Sequence, residues 1–478
     1  MSSTAQSSAG KRIASLLDEN SFVEIGGSVT ARNTDFNMQA QETPSDGVVT
    51  GYGVINGSLV YVYSQDAAVL GGTIGEMHAK KIVNIYNLAL KMGAPVIGLI
   101  DCAGLRLQEA TDALYAFGRV YHKQVMSSGV IPQITAIFGS CGGGLAIVPG
   151  LTDFTFMEEK SAKLFVNTPN ALAGNRSDVN DTAGAAFQSK EAGLVDYAGS
   201  EEEIFAQIRQ LISMIPSNNE DDASYEECTD DLNRKCADIE NAVGDTAILL
   251  SNIADDQVFF ETKGAYAKEM VTGFLRLNGQ TVGVVANRTE VYDDSGEKAD
   301  AFDPVLTVNG CRKAASFVKF CDAFDIPVLT LTNVSGFKAD LESEKNIAGA
   351  AAQLTFAFAD ATVPKVNVVI GKAFGNAGNV MNSKAVGADL VFAWPGAEIG
   401  TMDANLAAKI MYADSDASVI REQAAAYAAL QLSSAAAAKR GYIDTIIDPA
   451  DTRKYVIGAF EMLFTKREDR PVKKHGSV

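Results

Sequence analysis

Three blocks of this sequence occur twice, in the same order and at nearly the same spacing. Val49-Thr50-Gly51, followed by Asn56-Gly57 and a β-rich run, returns as Val271-Thr272-Gly273 followed by Asn278-Gly279, an offset of 222 residues. GAPVIGLIDCAGLR (93–106) faces DIPVLTLTNVSGFK (325–338), and VIPQITAIFGSCGGG (130–144) faces TVPKVNVVIGKAFGN (362–376), both at an offset of 232. An insertion of ten residues after Arg288 accounts for the change of offset. Such a chain folds as two units of one design, and 478 residues exceed the usual reach of one hydrophobic core. The expected division is 1–235 and 236–478, with the polar, acidic stretch 216–235 as the linker.

Each block has one grammar. An Asn-Gly pair between β-rich runs predicts a hairpin. A segment with apolar residues near a 3.6 period follows, at 80–92 and again at 312–324, and predicts a helix. Proline-led apolar strands ending in glycine-containing turns come next, with a second helix between them. Short apolar strands alternating with helices imply an α/β fold with parallel strands covered on both faces.

The turns after those strands are the chemically interesting places. They are Cys102-Ala103-Gly104-Leu105 and Ser140-Cys141-Gly142-Gly143-Gly144 in the first half, and Val334-Ser335-Gly336-Phe337 and Phe374-Gly375-Asn376-Ala377-Gly378 in the second. A glycine-rich turn from strand to helix aims successive amides at one point, with the helix adding positive potential. Such a pair suits a carbonyl oxygen that becomes negative, as in an enolate or a ureido group. One such turn alone is more often a packing device; four at matching places in two halves are not.

Composition narrows the classes. A net charge of −19 argues against a duplex nucleic-acid binder, which needs a net basic face, and a site for any anionic ligand has to be a local basic patch on an acidic body. The amino terminus MSSTAQSSAGKR has no apolar signal core, and no window approaches about 18 consecutive apolar residues, so a cytoplasmic protein is expected. The six cysteines form no CxxC and suit buried thiols in a reducing compartment; Cys141 reads as one of these. Only His78, His122 and His475 are present, which argues against histidine triads and histidine-rich metal sites, and no metal is expected. His78 reads as a hydrogen-bonded structural residue, and Glu158 and Glu159 as a solvated face.

At these motifs the sequence resembles the carboxyltransferase subunit of biotin-dependent acyl-CoA carboxylases, the propionyl-CoA carboxylase β-subunit group. It is equally similar to the α-subunit of biotin-dependent methylmalonyl-CoA decarboxylases. The resemblance rests on DGVVTGYGVINGSLVYVYSQD (46–66), GGTIGEMHAKKI (71–82), GAPVIGLIDCAGLRLQE (93–109), SGVIPQITAIFGSCGGG (128–144), LTDFTFM (151–157), VNGCRKAASFVKFCDAFDIPVLTL (308–331), FADATVPKV (358–366), FAWPGAEIGTM (392–402) and the tail 447–476. It implies two tandem crotonase-like ββα superhelix domains, with acyl-CoA on the first-half side and biotin on the second. It also implies an active site between the first half of one subunit and the second half of another. The amides of Gly143 and Gly144 would hold the thioester oxygen, with Gly142 and the Ala103-Gly104 turn beside them. Arg106 would help place CoA phosphates, or else cap a turn at the surface. The amides of Asn376 and Ala377 would hold the biotin ureido oxygen, flanked by Gly375, Gly378 and Asn379.

The family usually reads GGAY where this chain has Gly375-Asn376-Ala377-Gly378, and GIIRHGAK where it has NIAGAAAQ at 346–353. Asn376 can still donate its amide if the turn asks no positive φ of it. With Gly378 in place of the aromatic, and Asn379 at the position that tunes acyl size, a differently shaped or larger acyl pocket is expected. No Met-Lys-Met biotinylation motif is present. Biotin therefore has to arrive on a separate carrier protein, with biotin carboxylase or membrane decarboxylase subunits as further partners and a dimer-based homo-oligomer, a hexamer, as the assembly. Two other classes compete. A crotonase-type hydratase or isomerase would need a positioned carboxylate, for which Glu109 is the nearest candidate. A non-catalytic scaffold would explain the altered 346–353 segment.

Overall fold

In the computed structural model, which describes residues 6–471 apart from 33–35, 37, 39–40, 222–224 and 294, both Asn-Gly pairs fold as two-residue hairpin turns. His475 and the end of the 447–476 tail lie outside the described residues. Asn56 and Gly57 have φ of 49° and 83°, Asn278 and Gly279 52° and 78°. Positive φ at both central residues is the twist-matched hairpin geometry, and Asn-Gly adopts it at least cost.

The chain divides into two compact units, Met1–Ser224 and Tyr225–Val478. That division falls before the expected one at 235. Residues just after it already belong to the second unit: Glu226 N–H donates to Gly279 O at 2.9 Å, and Arg234 donates to Asn252 O at 2.9 Å. Much of the acidic stretch is thus a packed edge and not a linker.

The first unit contains β1 (Val23–Glu24), β2 (Val48–Ile55), β3 (Ser58–Gln65), β4 (Val96–Cys102), β5 (Gln133–Gly142), β6 (Phe154–Glu158), β7 (Lys163–Phe165) and β8 (Tyr197–Gly199). They form one sheet in the order β1-β2-β3-β4-β5-β6-β8, with β7 beside β5. The hairpin end is antiparallel and the rest parallel. The second unit contains β9 (Phe259–Thr262), β10 (Met270–Leu277), β11 (Gln280–Asn287), β12 (Glu290–Tyr292), β13 (Lys298–Ala301), β14 (Val305–Leu306), β15 (Val328–Val334), β16 (Gly336–Phe337), β17 (Lys365–Phe374), β18 (Leu390–Ala393), β19 (Glu398–Gly400) and β20 (Thr445–Ile446). Its main sheet runs β9-β10-β11-β15-β17-β18-β20, with β19 beside β17. The β12–β13 hairpin is the ten-residue insertion.

The two sheets match partner by partner. Val48 pairs with Gln65 and Met270 with Asn287; Val96 pairs with Gln133 and Val328 with Lys365, each at the sequence offset. Even the irregularity repeats. Register shifts after Ile100 in the first unit and after Thr332 in the second, restoring the pairs Cys102–Cys141 and Val334–Ala373. A buried lysine repeats too. Lys81 donates to Ser45 O at 2.9 Å, and Lys313 to Lys263 O at 2.9 Å and Tyr266 O at 2.8 Å, bracing the loop before each hairpin.

Parallel strands need crossover helices. Helix Glu76–Met92 buries Ala79, Ile82, Val83, Tyr86 and Ala89 at helical spacing and stops at Gly93, whose φ of 60° closes the end. Helix Ala110–Ser127 links β4 to β5; in the second unit Val308–Ala323 leads into β15 and Ile347–Asp360 links β15 to β17. Each unit has its own apolar core, centred on Tyr86, Ile100 and Ile137 in the first and on Leu250, Leu331 and Val368 in the second. No helix among the described residues is long and apolar enough to cross a membrane.

Candidate functional site

The register makes Gly143 and Gly375 equivalent, since each stands two residues after the last residue of β5 or β17 paired with β4 or β15. Their φ values are 61° and 58°. Each opens a helical turn, Gly143–Ala146 leading into Ile147–Leu151 in the first unit and Gly375–Val380 in the second. First-turn amides have no intrahelical acceptor and point forward with the positive end of the peptide dipoles. The left-handed position is thus glycine in both units, and Asn376 is not asked for a positive φ. At Gly375 an added Cβ would also stand 3.1 Å from Thr401 O.

Beyond the glycines the two turns share a burial pattern. Gly144 and Asn376 are exposed, the next two residues in each are buried, and Ile147 and Asn379 are exposed again. Gly143-Gly144 therefore corresponds to Gly375-Asn376. The Asn376-Ala377 pair expected from sequence lies one residue further on, with Ala377 only 1 % exposed.

The other two turns brace instead of donating. Ala103 N–H donates to Gly71 O at 2.9 Å, Gly104 N–H to Cys102 Sγ at 3.3 Å, and Gly104 O accepts from Ile74 at 2.9 Å. In the second unit Ser335 N–H donates to Pro304 O at 2.7 Å, and β14 pairs with β16. Of the four turns that the sequence offered as candidates, these two spend their amides within the fold. Ala103-Gly104 still stands beside the other turn: a Cβ on Gly104 would lie 3.8 Å from Gly142 O.

Arg106 requires a further correction. It is wholly buried, so it neither reaches for phosphates nor caps a turn at the surface. Its guanidinium meets Asp46 at 2.6 Å and Glu109 at 3.0 Å, and donates to Thr73 O at 2.7 Å. Glu109 also accepts the Glu76 amide at 2.6 Å, and Asp46 the His78 amide at 2.7 Å. With these partners Glu109 is not the poised carboxylate that a hydratase or isomerase would need. His78 is hydrogen-bonded as expected, its Nδ1 to Asp46 O at 2.9 Å and its Nε2 to Gln65 at 3.1 Å. Burial, reinforced by Arg106, depresses its pKa to about 3. Burial likewise raises the Asp46 carboxyl, against the pull of Arg106. Asp46 is a site-shaping residue that sequence reasoning did not single out.

Cys141 is buried and its thiol is pushed up by burial, in keeping with a packing role. Glu158 is not on a solvated face: it is buried and accepts the Ser161 amide and hydroxyl, each at 2.6 Å. Phe117 and Tyr121 were also missed, although their spacing of four on a helix is an aromatic signal. The Tyr121 hydroxyl donates to Gly144 O at 2.5 Å, and a Cβ on Gly144 would stand 3.0 Å from that hydroxyl.

In the second unit a cavity of about 470 Å³ opens against Gly375, Asn376 and Asn379. Val369, Ala373, Val391, Ile399 and Ile443 supply aliphatic wall; Thr401, Tyr427, Gln431 and Arg440 supply polar groups. Aliphatic wall with a few convergent polar groups is the general make-up of a small-molecule site. Gly378 borders the cavity with backbone alone. A Cβ there would lie 2.7 Å from the Ala373 carbonyl carbon, so this short helix rests directly on β17. Among the described residues no cluster of three or more His, Cys, Asp or Glu could hold a metal ion.

Comparison with known proteins agrees with this architecture. Residues 4–478 match the carboxyl transferase domain family. The propionyl-CoA carboxylase beta chain of Roseobacter denitrificans is 40 % identical, covering 98 % of this chain and 93 % of its own. The methylmalonyl-CoA decarboxylase subunit alpha of Veillonella parvula is 38 % identical, covering 98 % and 92 %. The crystal structure of the transcarboxylase 12S hexamer with methylmalonyl-coenzyme A and methylmalonic acid bound superposes with a TM-score of 0.92 at 36 % identity, covering 98 % and 92 %. The chain, two tandem crotonase-like units, belongs to the carboxyl transferase family and is a carboxyltransferase enzyme.

Proposed function

We propose that this chain moves a carboxyl group between biotin, carried on a separate protein, and the α-carbon of a short-chain acyl-CoA of the acetyl or propionyl type. The observation that carries the proposal is the equivalence of Gly143 and Gly375, each a left-handed glycine followed by an exposed residue at a helix start. Two such turns suit a reaction in which two oxygens gain negative charge.

When bound, biotin supplies a ureido nitrogen that carries the carboxyl group and, relieved of it, accepts a proton. The amides of Gly143 and Gly144 oppose the charge that grows on the thioester oxygen as the α-carbon loses its proton or its carboxylate. The turn that begins at Gly375 does the same for the ureido oxygen through Asn376 and Ala377. Asp46, Arg106 and Glu109 fix Thr73 and Glu76 in the segment whose Gly71 and Ile74 bond the Ala103-Gly104 corner, and aliphatic walls line the second turn. Donors fixed in advance cost no reorganisation during the reaction, so the site needs no nucleophilic side chain.

We propose as its setting a cytoplasmic homo-oligomer, dimer-based and built up to a hexamer as in the transcarboxylase 12S relative, with the first half of one copy meeting the second half of another. Partners are a biotin carrier and either a biotin carboxylase or membrane decarboxylase subunits. The relative named as a decarboxylase subunit is nearly as similar as the one named as a carboxylase chain, so a second reading is the reverse transfer. Purifying the native complex identifies the direction. The transfer itself is tested by incubating the chain with methylmalonyl-CoA or malonyl-CoA and free biotin. Biotin-dependent decarboxylation is expected; CoA binding with no turnover at any acyl length would identify a scaffold instead.

A further inference from the structure

Two departures from the family pattern meet at one place. In the first unit, a Cβ on Gly144 would stand 3.0 Å from the Tyr121 hydroxyl and 3.9 Å from the Phe117 ring. In the second unit, the helix before the equivalent strand begins Ile347-Ala348-Gly349-Ala350-Ala351-Ala352, with no aromatic before Phe356, and it packs against the short helix that carries Asn376. Small residues thus stand where the family has GIIRHGAK, on the helix packed against the one where Asn376 replaces a glycine. The Asn376 side chain meets Asn379, whose Nδ2 donates to Asn376 Oδ1 at 3.2 Å, one helical turn away and at the edge of the cavity.

One hydrogen bond uses one donor and one acceptor of the pair. It leaves the Asn376 amide NH2 and the Asn379 amide carbonyl unused by that bond, and exchanging O and N on both side chains preserves that count. Paired amide donors and acceptors read a planar amide-like edge bidentately, as Asn does on adenine. A ureido ring offers the complementary edge: a carbonyl oxygen beside an N–H.

We infer that Asn376 and Asn379 form a carboxamide clamp that reads the ureido group of biotin, Asn376 donating to its carbonyl oxygen and Asn379 accepting from its N–H. This rests on the reaction proposed above and adds to it a specificity pair that the family's glycine turn lacks. The clamp complements the backbone amides, because a site that hydrogen-bonds a polar edge rejects an analogue lacking it.

The test compares binding of free biotin and 2-iminobiotin, in which a protonated imine replaces the carbonyl, by ligand-detected NMR on the intact chain. Unsubstituted protein should prefer biotin. Asn376→Gly, which restores the family residue, should weaken biotin about 3- to 10-fold without changing CoA ester affinity. Asn376→Asp should shift the biotin to iminobiotin ratio at least about 10-fold toward the imine, since a carboxylate accepts where the amide donated. Asn379→Ala should weaken biotin and Asn379→Asp, which keeps the acceptor, should restore it. Unchanged biotin affinity in Asn376→Gly and Asn379→Ala, with transfer activity retained, overturns the clamp and leaves the functional proposal standing. No biotin binding or biotin-dependent turnover by the unsubstituted chain overturns both.

Discussion

Gly375 occupies in the second unit the backbone position and left-handed conformation that Gly143 occupies in the first, at φ of 58° and 61°. An L residue there costs about 1–2 kcal/mol and turns the following amides off their target. Gly143→Ala and Gly375→Ala should each lower kcat by about 10²–10³, the usual cost of losing an oxyanion donor. The two should separate on binding: Gly143→Ala weakens acyl-CoA and Gly375→Ala weakens biotin. Steady-state kinetics with each substrate varied in turn checks this.

Arg106 is a positioning residue held by two buried carboxylates. Arg106→Met should destabilise the first unit by about 3–5 kcal/mol, because Asp46 and Glu109 would be left buried and unpaired. A phosphate-binding arginine would behave in the opposite way. Its removal would spare the urea midpoint and reduce the salt dependence of CoA binding.

His78 carries a pH signature. Its folded pKa of about 3 lies below the ordinary 6.5, because burial and then Arg106 disfavour the imidazolium. The unfolded chain binds the proton first as pH falls, so this contribution to stability is complete above 6.5 and is lost from there down to 3. By pH 5 the loss is about 2 kcal/mol. Urea unfolding at pH 7.5 and pH 5 should show that slope, and His78→Gln should lack it.

The hairpin turns are held by a repeated device whose two copies differ in burial. Asp18 accepts the amides of Asn56 and Gly57 and pairs with Arg209 at 2.6 Å; Asp255 accepts those of Asn278 and Gly279 and pairs with Arg453 at 2.6 Å. Side-chain exposure is 28 % and 29 % in the first pair but 6 % and 0 % in the second. Asp18→Ala should therefore cost about 1 kcal/mol and Asp255→Ala about 3–5 kcal/mol. Chemical denaturation of the two variants measures the difference.

What the sequence disclosed and what it hid follow one physical division. Offsets of 222 and 232 foretold the strand pairing residue by residue, because register follows the hydrophobic pattern and the Asn-Gly turns. Helix starts were less visible. The helix read from residue 80 begins at Glu76, whose amide is held by Glu109, a partner 33 residues away that no local motif announces. The helix read from 312 begins at Val308, capped by the Thr307 hydroxyl on Gly310 at 2.9 Å, a signal that was present in the sequence. At the site, the glycine turns were legible because positive φ restricts the residue type. The fate of Arg106 was not, since its carboxylate partner Asp46 is 60 residues away.

The most direct measurement is a crystal structure of the chain with an acyl-CoA and biotin bound together. The thioester oxygen should lie within hydrogen-bond distance of the Gly143 and Gly144 amides, and the ureido oxygen within reach of the turn that starts at Gly375. A thioester oxygen seated away from Gly143, or a biotin ring bound outside the cavity at Asn376, would contradict the account.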